Sequence, residues 1–206
     1  MAERRIGALV LAAGLSSRMI GFKPLLRIGE KAFIEHAISL FTISGITNVV
    51  TVVGYRSDEL IPLVEACSSR WVMNRNFRDG MFSSIQLGAL KLQGNCDAFF
   101  LLPVDIPFVH QSTIRKLITA FATNHDFLVY YPQFQSRSGH PPLIDASLIP
   151  QIRTYEGING MRGVLASCKE RSLSVLVEDP FICMDADTRE DLSSLQRVYF
   201  SKRPDL

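Results

Sequence analysis

Three stretches of this sequence hold side chains suited to a polyphosphate and a hard cation. The first is Leu11-Ala12-Ala13-Gly14-Leu15-Ser16-Ser17-Arg18-Met19-Ile20-Gly21-Phe22-Lys23. Small residues come first, then hydroxyls, then two cations. Phosphate oxygens are reached by backbone N–H groups where side chains are small. Ser16 and Ser17 can add hydroxyl donors. Arg18 offers a planar fork and Lys23 a point charge against phosphate. The second stretch is Leu101-Leu102-Pro103-Val104-Asp105-Ile106-Pro107, with one carboxylate at the end of an apolar run. The third is Asp185-Ala186-Asp187. Hard oxygen ligands suit Mg²⁺, which takes one or two carboxylates beside substrate phosphates.

Each stretch also has a plainer use. The loop could be a strand-to-helix turn with two solvated cations. Asp105 could set a turn before Pro107. Asp187 or Thr188 could cap a closing helix, with Glu190 and Asp191 at the positive end of its dipole. Two further segments stand out. Asn74 to Ser84 opens a helix with Gly80, Ser83 and Ser84, whose N–H and hydroxyl groups suit polar recognition. Ser138-Gly139-His140-Pro141-Pro142 carries a lone histidine, a type more often structural than functional. The glycine loop is not a Walker A motif, because six residues separate Gly14 from Gly21 and Phe22 precedes Lys23. It has no GxGxxG either. No Ser/His/Asp or Cys/His nucleophile set appears.

These residues need elements to position them. Ile6 to Ala12 is an apolar run of strand length. Phe33 to Phe41 has helical spacing. Thr47 to Val53 is rich in β-branched residues and reads as a buried strand. Ser57 is placed to cap a helix to about Cys67. Trp71 to Met73, Ala98 to Leu102, Phe127 to Tyr131 and Leu173 to Val177 read as strands. Met81 to Leu92, Ser112 to Ala122, Arg162 to Lys169 and Arg189 to Val198 read as helices. Such alternation predicts a three-layer α/β fold, a mostly parallel twisted sheet with helices on both faces. Ligands bind such sheets outside the carboxyl ends of the strands, where the distinctive loops fall.

With 206 residues and no linker or repeat, the chain is expected to form one domain, 1–206. A net charge of +2 argues against a nucleic-acid or membrane-surface binder. The four cysteines, Cys67, Cys96, Cys168 and Cys183, form no CxxC pattern and are expected as free thiols. No signal-peptide layout or membrane-length apolar run is visible, so a cytoplasmic location is expected.

The first loop resembles the opening signature of the nucleotidyltransferases that include molybdenum cofactor cytidylyltransferases and guanylyltransferases. That signature is Leu-Ala-Ala-Gly-x-Ser-x-Arg-Met-Gly-x-x-Lys. The chain matches at Leu11 to Gly14, Ser16, Arg18, Met19 and Lys23, and departs at Ile20. Leu101 to Pro107 is similar to the family's Asp-Met-Pro element. Met184 to Leu192 is similar to its Asp-x-Asp-Thr-Pro-Glu-Asp-Leu element, with Arg189 in the proline place. The resemblance implies a Rossmann-like nucleotidyltransferase fold. It implies that Leu11, Ala12, Ala13 and Gly14 hold base and ribose, and that Ser16, Arg18 and Lys23 face the triphosphate; Ser17 is a candidate nucleotide contact by its hydroxyl. Asn74, Gly80, Ser83 and Ser84 would lie near the base. Asp105 and Asp187, with Asp185 as fallback, would hold Mg²⁺. His140 and Arg162 would line the acceptor side, although Ile158 stands where the family has an acid.

The implied reaction is attack by a small phosphorylated acceptor, of molybdopterin type, on the α-phosphorus of a nucleoside triphosphate. CTP is favoured over GTP, and Arg18 and Lys23 are the expected catalytic cations. The resemblance also admits a molybdoenzyme-maturation partner. Two other readings stand. Asp185-Ala186-Asp187 is also the DxD string of metal-dependent nucleotide-sugar glycosyltransferases. The departures at Ile20, Ile158 and Arg189 also fit a nucleotide-binding regulatory module without activity.

Overall fold

The computed structural model describes residues 4–16, 21–156 and 158–201. One sheet organises the molecule. Its strands are β1 (Ile6–Ala12), β4 (Asn48–Val53), β5 (Arg70–Met73), β6 (Ala98–Pro103), β7 (Val129–Phe134), β8 (Arg137–Ser138), β9 (Leu143–Asp145) and β10 (Ser172–Leu176). The spatial order is β10-β7-β9-β6-β1-β4-β5, with β8 hanging on β7. A small antiparallel hairpin, β2 (Arg27–Ile28) with β3 (Lys31–Ala32), lies apart from it. β1 runs parallel to β4 and β6, β4 to β5, and β7 to β10. Only β8 and β9 run the other way among these pairs.

The strands at the centre are apolar on both faces because both faces are covered. Alternation along β1 divides them. Ala8, Val10 and Ala12 face one core, and Leu9, Leu11 and Ala13 face the other. The first core is closed by α1 (Phe33–Ile43), α2 (Ser57–Ala66), α4 (Gln111–Thr123) and α7 (Arg189–Ser201). The second is closed by α3 (Met81–Leu92), α5 (Ile149–Thr154) and α6 (Met161–Ala166). The expected three layers are therefore present. None of the helices among the described residues is long and apolar enough to cross a membrane.

Some local expectations need correction. Ser57 does not cap α2; it is the first helical residue, and Arg56 precedes it in the left-handed region at φ 51°. The helix expected over Arg162 to Lys169 stops at Ala166, and a 3-10 turn follows at Lys169–Arg171. The strand expected at Phe127 starts at Val129 and runs on to Phe134. The β2–β3 hairpin, β8, β9 and α5 have no counterpart in the sequence reading.

The chain order places the ligand crevice. From β1 it moves outward to β4 and β5, then crosses back to β6 on the other flank of β1. The reversal falls between β1 and β6, and a cleft opens there at the strands' carboxyl ends. A buried carboxylate ties this end to the far side of the sheet. Asp179 accepts from the His110 N–H at 2.7 Å, the Thr113 hydroxyl at 2.8 Å and the Phe181 N–H at 3.1 Å. It thereby fixes the start of α4 to the segment that leads into the crevice. Asp179→Ala leaves those buried donors without an acceptor. It should lower the unfolding free energy by about 3 kcal/mol, read as a lower urea midpoint with the slope unchanged.

Candidate active site

The loop after β1 is fastened at both ends. At its start, the Tyr55 N–H donates to the Ala13 carbonyl at 3.2 Å. That approach needs Gly54, where a Cβ would lie 2.9 Å from the same oxygen. At its end, the buried Phe22 ring meets Tyr55 edge-on at 5.5 Å, and the Arg56 guanidinium covers it at 5.1 Å. The Ser16 hydroxyl accepts from the Lys23 N–H at 3.0 Å and closes the loop. Ser16 was expected to face phosphate; here its oxygen is engaged with the backbone, and its φ is 55°. Ser17 and Arg18 lie outside the described residues.

Lys23 then points into the crevice. Its ammonium donates to Asp105 Oδ2 at 3.1 Å and to Asp187 Oδ1. Asp105 follows β6 and Asp187 comes from the segment before α7, so three remote parts of the chain meet at one charge. The Val104 N–H donates to the Leu11 carbonyl at 3.1 Å, which sets Asp105 beside the end of β1. The Ala186 N–H donates to the Asp105 carbonyl at 3.0 Å, which brings Asp187 alongside.

Asp187 is not spent on helix capping. The Thr188 hydroxyl accepts from the Asp191 N–H at 3.1 Å, and Asp191 Oδ2 accepts from the Thr188 N–H at 2.8 Å. This reciprocal cap satisfies the start of α7. The Thr188 hydroxyl, with help from the Thr188 and Asp187 N–H groups, holds the Asp191 carboxyl below the usual range. The capping role considered for Asp187 or Thr188 thus falls to Thr188.

Two cavities meet at Asp105. One, of ≈ 450 Å³, is walled by Ala12, Ala13, Gly14, Ser16 and Lys23, with Gly80 and Ser84 opposite. The other, of ≈ 840 Å³, lies toward β7 and α6 and includes His140, Arg162, Asp185 and Asp187. Leu11 lines both.

The MobA-like NTP transferase domain, as a family, matches residues 8–173. The chain belongs to that family. Two relatives match nearly end to end. Nicotine blue oxidoreductase of Paenarthrobacter nicotinovorans is 26% identical over 94% of this chain and 95% of its own. The molybdenum cofactor cytidylyltransferase of Escherichia coli is 25% identical over 94% and 97%. A nucleotidyl transferase structure from Methanothermobacter shares the fold, with a TM-score of 0.81 at 20% identity, over 97% of this chain and 99% of that one.

Within this NTP transferase fold, the sequence-predicted residues separate into two groups. Leu11 to Gly14, Ser16, Lys23, Gly80, Ser84 and Asp105 share the smaller cavity. Asn74 and Ser83 are turned to local work instead. The buried Asn74 amide donates to the Ser83 and Ser84 hydroxyls, each at 2.9 Å, and its oxygen accepts from the Asn76 N–H at 2.9 Å. This knot shapes the approach to α3. The larger cavity also takes Tyr131, Arg137 and Lys169, which sequence reasoning missed. Arg137 adjoins the Ser138-Gly139-His140 string and could have been found there; Lys169 carries no local signal.

His140 is held by its backbone. Its N–H donates to the Ile182 carbonyl at 2.8 Å, and a Cβ on neighbouring Gly139 would lie 2.2 Å from that oxygen. The ring Nδ1 is buried without a hydrogen-bond partner. Burial pushes the imidazole pKa below its ordinary value, while the Leu101 backbone, Asp105 and Asp185 pull weakly upward. The depressed pKa keeps the ring neutral at neutral pH. Its stabilising contribution is complete above the unfolded histidine value of about 6.5 and is lost as pH falls through the folded value. Between pH 7.5 and 5.5 the wild type should therefore lose more stability than His140→Gln, measured as the shift in urea midpoint.

Proposed function

We propose that this NTP transferase moves a nucleotidyl group from a nucleoside triphosphate, preferentially CTP, to a small phosphorylated acceptor of molybdopterin type. One observation carries the reading: Asp105 and Asp187 both bind the Lys23 ammonium at the seam between two cavities. The smaller cavity has the size and small-residue walls of a nucleotide site. The larger, with Arg137, Arg162 and Lys169 at its edge, suits an anionic acceptor. The cytidylyltransferase relative supports the choice of base and acceptor.

The donor set fits a divalent cation. Two carboxylates lie within reach of one positive charge, and Mg²⁺ commonly takes two carboxylates and completes its shell with phosphates and water. Among the described residues no group of three or more His, Cys, Asp and Glu gathers for a metal; in this reading substrate oxygens and water would complete the shell. When bound by Asp105 and Asp187, Mg²⁺ supplies charge neutralisation and polarisation at the α-phosphate.

The chain's own residues position and neutralise. An oxygen of the acceptor phosphate attacks the α-phosphorus, one P–O bond forms, and the bond to the leaving pyrophosphate breaks. The attacking phosphate is already an anion, so no strong base is required. The loop backbone from Ala12 to Gly14 holds the nucleoside. Lys23 moves its charge to the phosphates, joined by Arg18 from its place in the signature, and both stabilise the charge that grows in the transition state.

A second reading has its own observation behind it, the relative named nicotine blue oxidoreductase. Product analysis separates the two. The protein with Mg²⁺, each of the four triphosphates and a panel of phosphorylated acceptors should release pyrophosphate, fastest with CTP. Release of nucleoside diphosphate instead marks a glycosyltransferase. Binding of a triphosphate with no product from any acceptor marks a regulatory module, and redox turnover without pyrophosphate marks the oxidoreductase. Lys23→Ala should lower kcat/KM by about 2–4 kcal/mol, roughly 30- to 1000-fold. Unchanged turnover in that variant removes Lys23 from the chemistry.

A further inference from the structure

Lys23 faces two ways. It is part of the nucleotide-side wall, yet its ammonium is held by Asp105 and Asp187. Its side chain is 9% exposed, and those of the two aspartates 22% and 23%. Carboxylates this close to each other repel unless a cation stands between them, and a poorly solvated ammonium needs partners. The arrangement is therefore complete without any added ion. It also satisfies the very pair of groups that a divalent cation requires, and two cations cannot share it without mutual repulsion.

We propose that Lys23 is an exchangeable placeholder. In the nucleotide-free protein its ammonium occupies the Asp105–Asp187 pair and excludes bare divalent ions. An arriving polyphosphate draws the ammonium away and releases the pair to a metal. The inference rests on the nucleotidyltransferase reading of this site. Three features permit the exchange. The lysine is rooted at the backbone by Ser16 and Phe22, so the loop need not move. Its flexible four-carbon stem lets the charge relocate while the backbone stays. A polyphosphate carries more negative charge than the two carboxylates together. Binding order follows: bare metal is a poor first ligand, and nucleotide with its metal is a good one. A site filled nine-tenths of the time by Lys23 reads about tenfold weaker for a competing ion.

The test uses the full chain without nucleotide and Mn²⁺ as the probe, with free Mn²⁺ read by electron paramagnetic resonance. Lys23→Met should bind one Mn²⁺ about tenfold more tightly than wild type. Lys23→Arg, which keeps the charge, should stay weak. Lys23→Met combined with Asp187→Asn should lose the gain. If Lys23→Met is unfolded without metal, Mn²⁺ should restore its circular dichroism at concentrations that leave the wild-type melting temperature unmoved. Equal Mn²⁺ affinity in wild type and Lys23→Met overturns the proposal, as does tight binding by Lys23→Arg or failure of Mn²⁺ to refold an unfolded Lys23→Met. Such results beside normal pyrophosphate release by wild type would sink the placeholder and leave the transfer reaction standing. Absence of pyrophosphate with the expected Mn²⁺ pattern would do the reverse.

Discussion

A single ammonium flanked by two carboxylates holds the working end of this molecule together. Lys23, Asp105 and Asp187 come from the loop after the first strand, the end of β6 and the segment before the last helix. Each charge would be costly alone in a half-buried crevice. Together they offset one another, but only if all three segments arrive in register. The supporting contacts serve that register. Ser16 holds the Lys23 backbone, the Ala186 N–H reaches the Asp105 carbonyl, and Thr188 with Asp191 caps α7 so that Asp187 need not. Charge pairing of this kind specifies geometry more than it adds stability.

The sheet makes the meeting possible. β1 is flanked by β4 and β6, both parallel to it, and the reversal of winding order at β1 leaves its carboxyl end uncovered. Apolar alternation along β1 secures the strand between two helical layers, so the loop that follows starts from a rigid base. Gly54 and Phe22 then fix where the loop may go. Backbone and ring contacts at Ala13, Ser16, Phe22 and Lys23 root the loop.

Much of this was legible in the sequence, and the failures have physical reasons. β1, β4, β6, α1 and α3 are long enough for periodicity to declare them, and the ends of β1 and β6 with the start of α3 line the site. β9 and the β2–β3 hairpin are too short to show a period; β9 pairs because β6 and β7 flank it, and β2 and β3 pair only with each other. The glycine loop and both aspartates could be singled out from residue type and from family resemblance. Their direct contact could not, because Lys23 lies 82 residues from Asp105 and 164 from Asp187. Asn74 and Ser83 look like ligand contacts as residue types, yet they satisfy each other. Hydroxyl and amide groups near a helix start serve ligands or backbone equally well, and only packing decides. Family membership covers residues 8–173 and leaves Asp187 outside the match, so its place in the site rests on geometry.

The two cavities share Leu11, Met81, Pro103 and Asp105, and differ in the rest of their walls. Arg137, Lys169 and Tyr131 border only the larger one, and they come from β8, the stretch after α6 and β7. Those surfaces can drift in shape and charge while the loop from Leu11 to Lys23 stays as it is. A scaffold divided in this way is modular: one cavity is set by the ends of the central strands β1 and β6, and the other extends to segments at the sheet's edge. Descendants of one ancestor could then diverge at one cavity without rebuilding the other. Relatives bearing names as different as a cofactor cytidylyltransferase and a nicotine blue oxidoreductase are the kind of outcome such a partition allows.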